Sequence, residues 1–170
     1  MKCPVNLIIS GGQSGADLAG NQFAQTVGIP TCCYVFKNFK PVDADDRMIF
    51  DGMPQRNIKT SQENYISCLR ERTVHNVKRA DATILFLNCS LHELGMYSGS
   101  RLTWKTGELL DKPVVIVDVR YPKDAVRTIT SLLQEEKPEV LNIAGRRSLQ
   151  RATVRQILTD AWKKLNFDTK

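Results

Sequence analysis

Apolar residues fall along this chain in two alternating rhythms. Short continuous apolar runs occupy residues 5–10, 31–36, 82–88, 113–118 and 138–143. Between them, apolar positions recur at helical spacing near 14–27, 61–79, 100–111, 123–136 and 148–165. The first rhythm predicts strands and the second predicts amphipathic helices. Ala82-Thr-Ile-Leu-Phe-Leu87 and Pro113-Val-Val-Ile-Val117 are continuous and β-branched, as expected of strands buried on both faces of a parallel sheet. The alternation predicts an α/β fold, Rossmann-like and doubly wound, with a mainly parallel sheet of about five strands flanked by helices. No linker or internal repeat interrupts it, so residues 1–170 read as one domain.

Residues 38–60 break the rhythm. They hold Pro41, Gly52, Pro54 and the acidic cluster Asp43, Asp45 and Asp46. A loop this long is either a functional flap or hides an element. Right-handed crossovers then favour the order 2-1-3-4-5 for the five predicted strands. The chain would reverse direction between the first and third of them. Ligands of such sheets bind at that reversal, beyond the carboxyl ends of the strands. The loops over residues 11–15 and 88–100 would therefore share one crevice.

The first of these loops has the most telling sequence. Val5-Asn-Leu-Ile-Ile-Ser-Gly-Gly-Gln-Ser-Gly-Ala-Asp17 reads as a strand, a tight glycine turn and a helix start. Unpaired N–H groups at a helix N-terminus attract a phosphate or carboxylate, and glycine lets backbone approach a ligand closely. Gly11, Gly12, Gln13, Ser14 and Gly15 are thus candidate ligand contacts. The loop lacks the Gly-Lys-Ser/Thr ending of a P-loop. It is not the GxGxxG of dinucleotide folds either. Ser14 and Asp17 have a spacing like a capping box. Asp17 therefore either caps the helix or accepts hydrogen bonds from a ribose or base.

A second glycine loop, Tyr97-Ser98-Gly99-Ser100-Arg101-Leu102-Thr103, precedes the third predicted helix. Ser100 is placed to be its N-cap. In the alternative, Gly99 admits a second phosphate, with Ser98, Ser100 and Thr103 donating hydroxyl bonds. Arg101 would then pair with that phosphate or lie in solvent. Upstream, Arg72, Thr73 and Asn76 share one helical face, either solvated or turned to a ligand. Near the C-terminus, Arg147, Arg151 and Arg155 follow at helical spacing, opposite Val154, Leu158, Ala161 and Leu165. This stripe is either solvated surface or a nucleic-acid face. Trp104 and Trp162 read as packing residues.

Composition narrows the classes. The chain is 42% hydrophobic and 25% charged, enough for a real core, and its net charge of +6 favours anionic partners. No apolar run approaches the ~20 residues of a membrane span, and the N-terminal run is too short for a signal peptide. A cytoplasmic location and no membrane partner are expected. Cys3, Cys32, Cys33, Cys68 and Cys89 are odd in number and form no CxxC, so they read as reduced core thiols. His75 and His92 are isolated. Neither a metal nor a cofactor is expected.

These motifs resemble a known family. Gly11-Gly12-Gln13-Ser14-Gly15-Ala16-Asp17 is similar to the GGQTGAD signature of the proteins called putative molybdenum carriers. They belong to the Rossmann-like SLOG superfamily, with the Lonely Guy enzymes and DprA. Arg72-Thr73, Asn76-Val77 and Ala80-Asp81-Ala82-Thr83 resemble the family's next block. Ser98 to Thr103 resembles its GGTALT loop, and Leu141-Asn142-Ile143-Ala144-Gly145 its LNVAG ending. The blocks occur in family order across nearly the whole chain.

The resemblance implies a nucleotide-derived small molecule bound between the glycine loops. It also implies a homodimer as one assembly. Some relatives cleave the N-glycosidic bond of a nucleoside monophosphate with a glutamate in the second loop. Here Lys105 and Thr106 stand where that carboxylate would be, and Glu108 lies farther along the helix. Asp17 and the 43–46 cluster are the remaining acids, and Asp17 is the candidate catalytic residue. Glycosidic cleavage needs a positioned carboxylate. The leading expectation is therefore a protein that senses or sequesters a phosphorylated nucleoside-type ligand. The enzyme alternative is a nucleotide N-glycosidase or phosphoribohydrolase. Nucleic-acid binding is a third reading that the weak arginine stripe does not favour.

Overall fold

The computed structural model describes residues 2–40, 54–61, 64–96 and 98–167. Asp43, Asp45, Asp46 and Tyr97 lie outside the described residues. Among the described residues one sheet holds six strands: β1 (Leu7–Ser10), β2 (Thr31–Phe36), β3 (Gln55–Ile58), β4 (Ala82–Leu87), β5 (Val114–Asp118) and β6 (Val140–Gly145). The helices are α1 (Ala16–Thr26), α2 (Tyr65–Arg79), α3 (Gly99–Leu110), α4 (Pro122–Glu135) and α5 (Arg151–Lys164). Every strand pairing is parallel, in the order β3-β2-β1-β6-β4-β5. This is the expected Rossmann-like α/β fold.

The sheet differs from the sequence reading in two ways. It gains β3, so the 38–60 segment conceals a strand. Gln55-Arg-Asn-Ile58 is polar and largely exposed at the sheet edge, and pairs with β2 through its backbone. Side-chain patterning carries no trace of it. Second, the order 2-1-3-4-5 is wrong, because the last strand inserts between the first and β4. Handedness alone does not decide this. α4 returns the chain inward on the face opposite α3, and a right-handed crossover permits that return as readily as outward growth. β5 is consequently the edge strand. Its residues are mostly half-buried, not covered on both faces as predicted. β4, one strand in from that edge, is buried along its whole length.

α1, α4 and α5 pack together on one face, and α2 and α3 on the other. Alternation along the strands divides the core accordingly. Ile8, Ile84, Phe86, Leu141 and Ile143 face α1 and α5, where Phe23 and Trp162 meet edge to face at 4.8 Å. Burying one such aliphatic or aromatic side chain contributes roughly 1.5–3 kcal/mol. On the other face, Leu85, Leu87 and Ile116 pack with Trp104, while Ile9 packs with Tyr34. Both tryptophans are packing residues, as read from the sequence. Between those two apolar groups the strands present Thr83 and Asn142, both buried. The sheet is therefore polar at its centre, under α2 and α3. No described helix is long and apolar enough to cross a membrane. None of the five cysteines is in a disulfide, and four are buried.

Candidate functional site

The glycine loop after β1 is built for close packing. Gly15 has φ 68°, and a Cβ there would lie 2.3 Å from the carbonyl oxygen of Arg146. Only glycine lets this loop close on the loop after β6. A Cβ on Gly11 would lie 2.7 Å from the Arg72 guanidinium carbon and 2.8 Å from the Asp17 carboxylate. Gly12, at φ 74°, sits over Cys33. The N-cap of α1 is Gly15, with no side-chain cap bond, so the Ser14–Asp17 spacing does not make a capping box. Asp17 instead accepts the Gln13 N–H at 3.2 Å.

Asp17 and Arg72 form the electrostatic centre of this loop. Burial pushes the Asp17 carboxyl up to about 6, against the opposing pull of the Arg72 charge and the Gln13 and Gly11 N–H groups. Arg72 donates to the Gly11 carbonyl at 2.6 Å and lies 5.1 Å from the Phe39 ring centroid. Arg72 and Asn76 are buried, so a solvated face is excluded for both. Thr73, between them, is half-buried and donates to the Leu69 carbonyl.

The loop before α3 departs from its sequence reading at two residues. Ser98, not Ser100, is the N-cap, accepting the Arg101 N–H at 3.2 Å. The helix starts earlier because Gly99 already adopts helical geometry. Arg101 turns back to donate to the Leu91 and Leu94 carbonyls at 3.0 and 2.7 Å. It staples its own loop, and is neither in solvent nor free for a phosphate. Thr103 donates to the Gly99 carbonyl. A Cβ on Gly99 would meet nothing within 4 Å.

A third loop, after β6, completes the site. Arg146 donates to the Asn88 side chain at 3.1 Å and to the Cys89 sulfur at 3.4 Å. α5 begins only at Arg151. Arg147 therefore lies in the loop and does not extend a helical stripe with Arg151 and Arg155.

These loops and α2 enclose a cavity of about 1550 Å³. It brings together Gly11, Gln13, Asp17, Arg72, Asn76, Gly99, Ser100 and Thr103 from the sequence-predicted set. Gly12, Ser14, Gly15, Ser98 and Arg101 do not line it. The cavity also takes in Lys40, Tyr65, Arg70, Asn142, Arg146, Arg147 and Ser148, which the sequence reading did not assign to a ligand. Asn142 carried a usable signal, a carboxamide inside an apolar strand. The insertion of β6 is what brings its loop into the crevice. Among the described residues, Lys40, Arg70, Arg72, Arg146 and Arg147 set five cations on the wall against a single carboxylate, Asp17. Ser100 and Gly99 put the N-terminus of α3 at the same opening. Among the described residues no three His, Cys, Asp or Glu side chains cluster as metal ligands.

The fold and this cavity define a doubly wound α/β protein with a polar, cation-rich crevice at the carboxyl edge of its sheet. Residues 8–165 match the family described as the circularly permutated YpsA SLOG family, and the chain belongs to it. It is also similar to a crystal structure titled putative molybdenum carrier protein, from Syntrophus aciditrophicus SB. The TM-score is 0.74 at 28% identity over 96% of each chain. No curated protein sequence matches. The family and this likeness fit a role in binding a small ligand.

Proposed function

We propose that this protein binds a phosphorylated nucleoside-type or nucleotide-derived small molecule, and senses or sequesters it without turnover. The observation that carries this reading is the excess, among the described residues, of five cations over one carboxylate around a single cavity. An anion there gains both from arginine, which pairs with phosphate bidentately, and from the N-terminus of α3. Size supports an organic ligand. Drug-sized molecules occupy pockets of roughly 300–1,000 Å³, so a cavity of about 1550 Å³ has room well beyond a phosphate or another tetrahedral oxyanion. The molybdenum named for the neighbouring structure would, as an oxyanion, use only the cationic part of the wall.

The way the described acids are used supports binding without turnover. Asp17 is the only carboxylate on the described wall, and it braces the glycine loop through the Gln13 N–H. Glu108 is exposed on α3 and does not reach the cavity. Native mass spectrometry of the protein purified from its host tests the proposal. A bound small molecule containing phosphate and a pentose is expected. Release of free base from AMP at ordinary enzyme rates, above ~1 per second, would instead establish the N-glycosidase reading with Asp17 as its acid.

A further inference from the structure

The cavity wall changes character with depth. β6 runs toward the opening, so Asn142 lies below Arg146 by four residues, roughly 13 Å of strand. α2 runs the opposite way between parallel strands, which places Asn76 about 6 Å deeper than Arg72. The opening is thus cationic and the floor uncharged. Asn76 is 4% exposed and Asn142 1% exposed, yet both line the cavity. Each has a carboxamide oxygen without a hydrogen-bond partner. The Asn142 amide nitrogen is already engaged with the Thr83 hydroxyl at 3.3 Å.

A buried carbonyl left unpaired is destabilising, so two of them on one cavity floor call for a partner. Exchanging the oxygen and nitrogen of either carboxamide does not remove the need. It turns an unmet acceptor into an unmet donor. A hydroxyl answers both cases, because it donates and accepts. A phosphate answers only the second.

We propose that Asn76 and Asn142 form a subsite for the hydroxyl-bearing sugar of the ligand, which enters sugar first and leaves its anionic group at the rim. This rests on the reading of the rim as an anion site. It adds a selection rule: the pocket discriminates a sugar phosphate from an inorganic oxyanion, and does so through two neutral side chains on separate elements.

Calorimetry of the full chain against AMP, 2′,3′-dideoxy-AMP and inorganic phosphate tests the subsite. AMP should bind at least tenfold more tightly than either of the other probes. Asn76→Ala and Asn142→Ala should each weaken AMP about tenfold and leave phosphate affinity unchanged. Asn76→Ala, on a helix, carries the test should the strand variant fail to fold. Equal affinity for AMP and its dideoxy analogue would overturn the proposal while leaving the anion site standing. So would an equal loss for AMP and phosphate in the variants. Failure of all three probes to bind would remove the anion site itself, and the subsite with it.

Discussion

Asp17 and Arg72 show how a motif that reads as ligand-binding is first a structural brace. The carboxylate holds the Gln13 N–H and the guanidinium holds the Gly11 carbonyl, so both clamp the glycine turn from the side. Burial raises the Asp17 carboxyl from 3.8 to about 6. A raised folded-state value means that Asp17 favours folding when protonated. Its contribution is fully present below about pH 4 and is lost as pH rises through about 6. At 1.36 kcal/mol per unit this amounts to roughly 3 kcal/mol. Urea denaturation at pH 4 and pH 7 should show that loss in the wild type on top of other titrations, and a smaller one in Asp17→Asn. An identical pH dependence in the two proteins would contradict it.

The glycines divide similarly. Gly15→Ala combines positive φ with a backbone collision at Arg146, and should lower stability by about 1–3 kcal/mol. Gly99→Ala meets no neighbour and sits in a helix, so its stability should hold or rise by up to about 1 kcal/mol. Denaturant midpoints compare the two. From sequence alone both glycines read as ligand contacts, because a tight turn and an open approach demand the same residue. Only the neighbours tell them apart.

Among elements, those with a strong apolar period were legible and those fixed by backbone pairing were not. The core of every expected strand and helix is present. β3 escaped because its four residues are mostly polar and exposed, and its hold on β2 is a run of main-chain bonds. The start of α3 was misplaced because Ser98 and Ser100 are equally good caps by residue type. Ser98→Ala should cost about 1 kcal/mol, and Ser100→Ala much less. Thermal or urea unfolding of the two variants separates them. α5 is a case where the pattern was read correctly at its buried face, through Val154, Leu158, Ala161 and Leu165. Its arginine stripe is shorter than expected. With Arg147 drawn into the loop, only Arg151 and Arg155 remain, too few for tight nucleic-acid binding. Each phosphate contact contributes about one unit to the salt dependence. A gel shift at ~150 mM salt should therefore show no stable complex with DNA or RNA.

Across the whole molecule, the crevice depends on a strand order that composition does not encode. The sequence placed two glycine loops on one crevice, and the structure does so, but through an intervening β6. That insertion delivers Arg146, Arg147 and Asn142 to a cavity where the glycine loops alone would have supplied few charges. Arg146 was visible in the sequence only as part of a basic surplus, and Arg147 only as the start of a helical stripe. The surplus is thus put to local use: the net charge of +6 is partly gathered around one opening. We propose that this opening receives the anionic group of a nucleoside-type ligand. The most direct test is calorimetric titration of AMP into the intact chain and into Arg147→Gln, both at low salt. The expected result is saturable one-to-one binding that weakens at least tenfold in the variant while its melting temperature stays within a few degrees. Binding of AMP that is unchanged by the substitution, or no binding to the intact chain, would contradict it.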